Sequence, residues 1–310
     1  MYLITGGAGF IGSNLVHALV ARGQKVRVLD NLATGRLDNL EPVREAIEFL
    51  QGDIRSLETC RKAMEDVRCV LHEAALPSVP RSFEDPISSS AVNIHGTLNL
   101  LIAAREQRIE RFVYASSSSV YGDTPTLPKM EAMTPDPRSP YAVSKLTGEH
   151  FCRVFARAYG LPTVCLRYFN VYGPRQDPTS TYAAVIPRFI THCLQGTAAT
   201  IFGDGTQSRD FTFVEDCVAA NLLACELQIS GGEVCNIGSG SRSSIAELYA
   251  MLRRITRSVV LPQFEPPRPG DVKHSLADIT RAKTLLGYSP RYDLESGLAR
   301  TVEWFRSRVA

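Results

Sequence analysis

The residues best equipped for chemistry in this sequence are a tyrosine and a lysine four positions apart, Tyr141 and Lys145. On a helix that spacing places both side chains on one face, so the ammonium stands near the phenol. A phenol is a poor base at its usual pKa of about 10. A neighbouring cation favours the phenolate and pulls that value toward neutral. Taken alone, Tyr-x-x-x-Lys is common by chance and marks an ordinary surface pair. Two upstream features make it specific. One is a serine cluster, Ser116, Ser117, Ser118 and Ser119, followed by Val120, Tyr121 and Gly122. A hydroxyl there can bond a reacting oxygen, while at least one of the four serves only to build a turn. The other is Gly6, Gly9 and Gly12, a Gly-x-x-Gly-x-x-Gly between an apolar run and a helical pattern. A pyrophosphate that touches backbone amides at a helix N-terminus needs glycines at such a turn. The spacing differs by one from Gly-x-Gly-x-x-Gly, and the strand–turn–helix context is what gives it weight.

Asp30 ends the next predicted strand, near the distance of about 20 residues at which a carboxylate meets the adenosine ribose. It would also repel a 2′-phosphate, so NAD is expected rather than NADP. The predicted cofactor contacts continue with Phe10 and Ile11 in the first helical turn, then Asn31 and Gly35 after Asp30. Asp53 and Ile54 follow the third strand, where an adenine edge would lie. Ala74 and Ala75 follow the fourth, where small residues let a cofactor pass closely. Lys145 is placed to hold the nicotinamide ribose, and Tyr141 and Tyr168 complete the set.

These residues need elements to position them. Residues 2–5, 26–30, 69–72, 111–116 and 163–168 read as buried strands, with helical patterns over 57–65, 92–107 and 141–159 between them. Strand alternating with helix means parallel strands in an α/β, doubly wound (Rossmann) sheet. After Arg167 the pattern changes. Gly173, Pro174, Pro178, Gly203 and Gly205 punctuate the chain. Helices are predicted over 216–227, capped by Asp216, and over 244–255, 279–286 and 294–305. One more strand is predicted over 234–237, and 262–270 is a proline-rich loop. The expected division is a dinucleotide-binding domain, 1–168 with returning segments near 211–238, and a smaller mixed α/β lobe, mainly 169–310, laid over the sheet's C-terminal edge.

The bulk properties remove other classes. The chain has 310 residues, is 44% hydrophobic and carries a formal charge of +2. Such a balance argues against a nucleic-acid partner, which needs a clustered basic face. No apolar run is long enough to cross a bilayer, and the first strand begins too near Met1 for a signal peptide. A cytoplasmic location without membrane contact is expected. The eight cysteines form no Cys-x-x-Cys and lie at no zinc-ligand spacing, so no metal is expected and they read as reduced, mostly buried thiols.

Together, residues 6–12, 30–32, 116–122, the Tyr141/Lys145 pair and Arg-Tyr-Phe-Asn-Val-Tyr-Gly-Pro at 167–174 resemble the NAD-dependent epimerase/dehydratase branch of the extended short-chain dehydrogenase/reductase family. The resemblance covers essentially the whole chain and is nearest the UDP-glucose and UDP-N-acetylglucosamine 4-epimerases. It implies Ser117 as the catalytic serine and Ser118 as its helper. It implies Asn170 at the nucleotide-sugar phosphates. The loops at 203–205 and 208–211 resemble the substrate-lobe loop whose arginine, here Arg209, meets the pyrophosphate. Arg268-Pro-Gly-Asp271 resembles the family's Arg-x-Gly-Asp, with Arg268 on phosphate and Asp271 on the uridine ribose. Arginine's planar fork suits phosphate oxygens. Val185, with residues 186, 187 and Phe189, would line the uracil pocket. Ser275 matches a gatekeeper position, where a small residue admits N-acetyl groups, and residues 75–81 resemble the N-acetylhexosamine-tolerant group.

The reaction so implied is inversion at the sugar's 4-carbon. Tyr141 removes the 4-hydroxyl proton with help from Ser117, a hydride moves to NAD, and it returns to the opposite face of the 4-keto sugar. UDP-glucose/UDP-galactose and the N-acetylated pair are the expected substrates, and a homodimer is implied through helices around 98–105 and 143–159. The 4,6-dehydratases carry an Asp-Glu pair after the active-site Ser or Thr, and decarboxylases a Glu near the reacting carbons; Ser118 and Ser119 supply neither. UDP-glucuronate epimerase or decarboxylase, an NAD-dependent sugar dehydrogenase and a non-catalytic nucleotide sensor remain as alternatives. The last typically loses the tyrosine or lysine, and both are present here.

Overall fold

A computed structural model describes residues 1–179, 183–226, 231–267 and 273–309. Six strands, β1 (Tyr2–Thr5), β2 (Val26–Asp30), β3 (Ile47–Gln51), β4 (Cys69–His72), β5 (Arg111–Ser117) and β6 (Thr163–Tyr168), join an edge strand, Glu233–Ile237, in one sheet. The order is Glu233–Ile237, β6, β5, β4, β1, β2, β3, and every pairing is parallel. The strands are short apolar runs because both faces are covered. Side chains alternate between two cores: Tyr2 and Ile4 face one, Leu3 the other. The first core holds helix α1 (Phe10–Ala21) and the helix Val214–Glu226. The second holds Leu57–Ala63, Thr97–Glu106 and Pro140–Tyr159. Strand order reverses between β1 and β4, and ligands of such sheets bind beyond the strand ends at that point.

Pro140–Tyr159, which carries the Tyr-x-x-x-Lys pair, is firmly bounded. Ser139 caps it by accepting from the Ala142 amide (3.1 Å), Pro140 fills the first position, and Gly160 ends it in a left-handed conformation. Residues 92–107 are not one regular helix; a wide π turn, Ala91–Gly96, precedes Thr97–Glu106. Asp216 is not a cap. Its helix starts at Val214, and its buried carboxylate accepts from the Arg291 and Tyr292 amides (2.8 and 3.4 Å). The next helix, Ile245–Thr256, has Ser244 as its cap, with Glu247 closing a capping box.

The smaller lobe has its own core, in which Tyr172, Phe189, Tyr249, Leu298 and Phe305 pack together. It is built from Val185–Gln195, Ile245–Thr256 and Leu294–Val309 with three two-stranded ribbons. The helix Val185–Gln195 has no counterpart among the predicted elements; its Pro187 sits in the first turn, where a missing amide costs nothing. Thr280–Leu286 leaves this lobe and packs on the sheet through Ala282 and Leu286. All eight cysteines are buried and free. No helix among the described residues is long and apolar enough to cross a membrane.

Candidate active site

The glycine loop is forced by close approach. Gly6 has φ 68°, and a Cβ there would lie 2.7 Å from the Ala74 amide nitrogen. A Cβ on Gly12 would lie 2.2 Å from the Gly6 carbonyl oxygen. Gly9 precedes α1, and no side chain caps that helix, so its first amides are left to an anion. Of the next two residues, Phe10 leans on the small lobe's core and Ile11 on the sheet's. Asp30 stands at the end of β2, accepting from the Ala8 and Leu32 amides (2.9 and 2.8 Å). Burial pushes its carboxyl above the usual range. The Gly35 backbone passes so near that a Cβ would meet both Asp30 oxygens at 2.9 Å. Asn31 donates to Asp53 (2.9 Å), and Arg55 grips the same carboxylate at 3.0 and 2.8 Å, holding its pKa at about 2. Asp53 is thus charged and already engaged. Ile54 is buried beside it, and the Ala74 amide donates to Thr5 Oγ1 (3.2 Å), with Ala75 half-buried next along. A carboxylate cradled by amides, an uncapped helix start and a glycine floor fit a dinucleotide.

Across the cleft, the Lys145 ammonium donates to the Ala115 carbonyl (2.8 Å) and lies 5.9 Å from the Tyr141 ring centre. Burial lowers its pKa to about 8, against the pull of Glu73. Burial likewise pushes Tyr141 up to about 12; the Ser117 hydroxyl draws it back, and Glu73 adds to the rise. Here the structure departs from the sequence expectation. The lysine sits beside the tyrosine as the spacing requires, yet desolvation raises the phenol. The serines divide. Ser116 donates to Glu149 (2.5 Å), itself held by Arg167 at 2.8 and 2.7 Å, and so belongs to the scaffold. Ser117 ends β5, accepts from the Ser119 amide (3.1 Å) and faces Tyr141. Ser118 is half-buried in the following turn, Ser118–Tyr121. Asn93 in the π turn braces the catalytic helix: it accepts from the Leu76 amide (2.8 Å) and donates to Ser144 Oγ (3.1 Å), which donates to the Tyr141 carbonyl (2.7 Å). His72 lies between Thr5 and Thr97 hydroxyls at 2.8 and 2.9 Å, its pKa lowered to about 3 by burial, and is therefore a neutral framework residue.

The small lobe holds a cavity of 300 Å³, whose walls include Asn170, Val185, Phe189, Phe202, Arg209 and Phe211. Pro187 is not among them. Asn170, at φ 32°, donates to the Asp210 carbonyl (2.9 Å) and to Ser275 Oγ (3.2 Å). Arg209 donates to the carbonyls of Ser208 and Lys273 at 3.0 and 3.1 Å. Asn170, Arg209 and Ser275 are thus brought together. Arg268 and Asp271 lie outside the described residues. The Tyr168 hydroxyl is engaged by Glu73 (2.7 Å) and by the Asn221 amide (2.8 Å). Glu73 escaped the reading of the sequence. Its signal was available, as a lone carboxylate directly behind the apolar strand Cys69–His72.

The profile of the NAD dependent epimerase/dehydratase family matches residues 2–238. The chain belongs to that family. It is 40% identical to a UDP-glucose 4-epimerase of Mycolicibacterium smegmatis, over 99% of this chain and 98% of that one. Among solved structures it resembles a UDP-N-acetylglucosamine 4-epimerase from Methanobrevibacter ruminantium in complex with UDP-N-acetylmuramic acid (TM-score 0.95, 40% identity, 99% and 98% coverage). It also resembles the Thermus thermophilus UDP-glucose 4-epimerase complexed with NAD (TM-score 0.90, 37% identity, 98% of each chain). Other activities occur at similar distance: a UDP-N-acetyl-α-D-glucosaminuronate decarboxylase of Bacillus cytotoxicus is 36% identical over 98% of this chain and 97% of that one. NAD, the cofactor of the family, is this enzyme's cofactor, and Asp30 and the glycine loop frame a cleft that fits it.

Proposed function

We propose that this enzyme is a UDP-hexose 4-epimerase that accepts UDP-glucose and UDP-galactose and their N-acetylated counterparts. The observation that carries the reading is Ser117, Tyr141 and Lys145 gathered over the dinucleotide cleft, with Ser118 and Ser119 where a dehydratase has an acid–base pair. When bound, NAD supplies the acceptor and later the donor of the hydride at the sugar's 4-carbon. Tyr141 takes the 4-hydroxyl proton and gives it back; Ser117 bonds the same oxygen and steadies the phenol. Lys145 holds positive charge beside both. Asn170, Arg209, Arg268 and Asp271 anchor the UDP moiety, so that the sugar can turn about its pyrophosphate link without escaping. The cavity at Val185 and Phe189 takes the uracil. Exposed Val143 and Val154, on one side of Pro140–Tyr159, support pairing of two copies, and the assignment to the cytoplasm rests on the sequence alone.

The deciding experiment incubates the purified protein separately with UDP-galactose, UDP-N-acetylgalactosamine and UDP-glucuronate, resolves products by chromatography and follows NADH absorbance. The 4-epimer without NADH accumulation is expected. Stoichiometric NADH, or a decarboxylated or dehydrated product, overturns the reading. The gatekeeper is tested in the same assay. Ser275→Tyr is expected to cut turnover of the N-acetylated sugars roughly tenfold or more, the order that a filled pocket can enforce, while sparing the plain hexoses. Unchanged activity on both classes would remove Ser275 from the specificity argument.

A further inference from the structure

His72 is a buried, ionisable side chain for which the reaction outlined above has no task. It ends β4, directly across from Thr5 of β1, and is 1% exposed. Both ring nitrogens have partners. Nδ1 lies 2.8 Å from Thr5 Oγ1 and Nε2 2.9 Å from Thr97 Oγ1. Both hydroxyls are as deeply buried as the ring. Neither partner is a carboxylate, and the charged group that faces the ring is the Lys145 ammonium. A second ring proton would therefore be a buried charge with no counter-ion, and the imidazole is neutral.

The direction of each bond in this row is decided from its far end. Thr97 Oγ1 lies 2.7 Å from the Asn93 carbonyl, which can only accept, so the Thr97 proton is committed there. Thr97 Oγ1 must then accept from His72 Nε2–H. In a neutral ring Nδ1 is left as an acceptor, and it takes the Thr5 hydroxyl proton. Thr5 Oγ1 accepts in turn from the Ala74 amide (3.2 Å). Four bonds thus run head to tail from Ala74 to Asn93, an arrangement in which each strengthens the next.

The two ends of the row are the two halves of the site. Ala74 abuts the glycine loop, its amide nitrogen 2.7 Å from where a Cβ on Gly6 would stand. Asn93 lies in the π turn, and its side chain holds Ser144 (3.1 Å), which donates to the Tyr141 carbonyl (2.7 Å). We propose that His72 is a positioning residue, a link protonated at Nε2 alone that fixes the π turn, and through Asn93 the Tyr141 helix, against the floor of the dinucleotide cleft. Every other form of the ring breaks the row. With the proton on Nδ1, the Thr5 hydroxyl loses its acceptor and Nε2 finds no donor, because the Thr97 proton is held by Asn93.

The test reads the ring nitrogens by magnetic resonance in histidine-labelled protein. The chain has six histidines, and the His72 signals are identified by their absence in His72→Gln. In the full chain as purified, at neutral pH, Nε2 is expected to carry a single, slowly exchanging proton and Nδ1 none. A proton on Nδ1, or on both nitrogens, overturns the proposal without recourse to any further variant. Thr97→Val keeps the side chain's shape and removes the hydroxyl. The Nε2 proton should then move upfield, and kcat should fall roughly tenfold or more with KM little altered, as expected when a distant change misplaces a reacting group. Thr97→Ser should restore both. An unmoved Nε2 proton in Thr97→Val, or a kcat equal to the parent's, overturns the proposal. Only the kinetic part rests on the epimerase reading. A ring in the expected form, in a protein that turns over no UDP-sugar, would sustain the link and refute the reaction.

Discussion

Replacing Tyr141 by phenylalanine is expected to lower turnover of the UDP-sugar by roughly 10²- to 10⁴-fold, the span that one positioned acid–base group contributes. The change removes one oxygen, whose neighbour is the Ser117 hydroxyl. The helix is held by other means: the Ser139 cap and the Asn93–Ser144 brace, which reaches the Tyr141 carbonyl and not its ring. NAD binding and the thermal midpoint should therefore stay near those of the parent, and KM should move far less than kcat. Steady-state kinetics with calorimetric NAD titration reads all of these. A variant that keeps more than a tenth of the parent kcat would show that the phenol is not the group that moves the proton. Burial pushes this phenol up to about 12, so its loss of a proton depends on a cation close by. Lys145, held by the Ala115 carbonyl 5.9 Å from the ring centre, stands there.

The second large effect is on stability. Arg167 and Glu149 form an ion pair whose side chains are 3% and 1% exposed, with the guanidinium stacked 4.7 Å over the Tyr121 ring and Ser116 closing the carboxylate from the other side. Arg167→Met leaves that carboxylate buried with the serine as its partner, which costs about 3–5 kcal/mol where one member of a buried pair is removed. The urea midpoint should fall accordingly. The double variant Arg167→Met/Glu149→Leu removes both charges and should recover much of the loss, because the damage comes from the orphaned charge and not from the missing contact. A single variant within about 1 kcal/mol of the parent would refute the idea that the orphaned charge is what destabilises the fold.

Much of this was legible in the amino-acid order because the relevant physics is local. Strands buried on both faces show as apolar runs, and the predicted ranges 2–5, 26–30, 69–72 and 163–168 coincide with β1, β2, β4 and β6. Asp30 at the end of β2 and Tyr141 beside Lys145 are likewise statements about neighbours in sequence. What stayed hidden depends on partners far along the chain. Asp216 reads as a helix cap because a carboxylate near a helix start usually is one; its actual donors lie at Arg291 and Tyr292. The four serines look alike until Glu149, 33 residues on, claims Ser116 and is itself gripped by Arg167 from another element. The acidity of Tyr141 followed the same rule. Spacing supplies the lysine, but the desolvation that dominates comes from the packed cleft around it.

The strand that completes the sheet has a further consequence for how the protein is made. Glu233–Ile237 pairs with β6 along the strand's whole outer edge, yet the ribosome delivers it only after the chain has passed through Val185–Gln195 and the ribbons of the small lobe. Until then the nascent molecule presents β6 as an open, apolar edge, the kind of surface that recruits other chains. A gene cut after Tyr168 would fix that transient state permanently: the dinucleotide loop would be present, but the sheet beneath it would lack its last strand and the helix Val214–Glu226 that covers one face. The sheet of this enzyme is finished by a segment encoded about three-quarters of the way along the message, after a detour that builds only the first part of the smaller lobe.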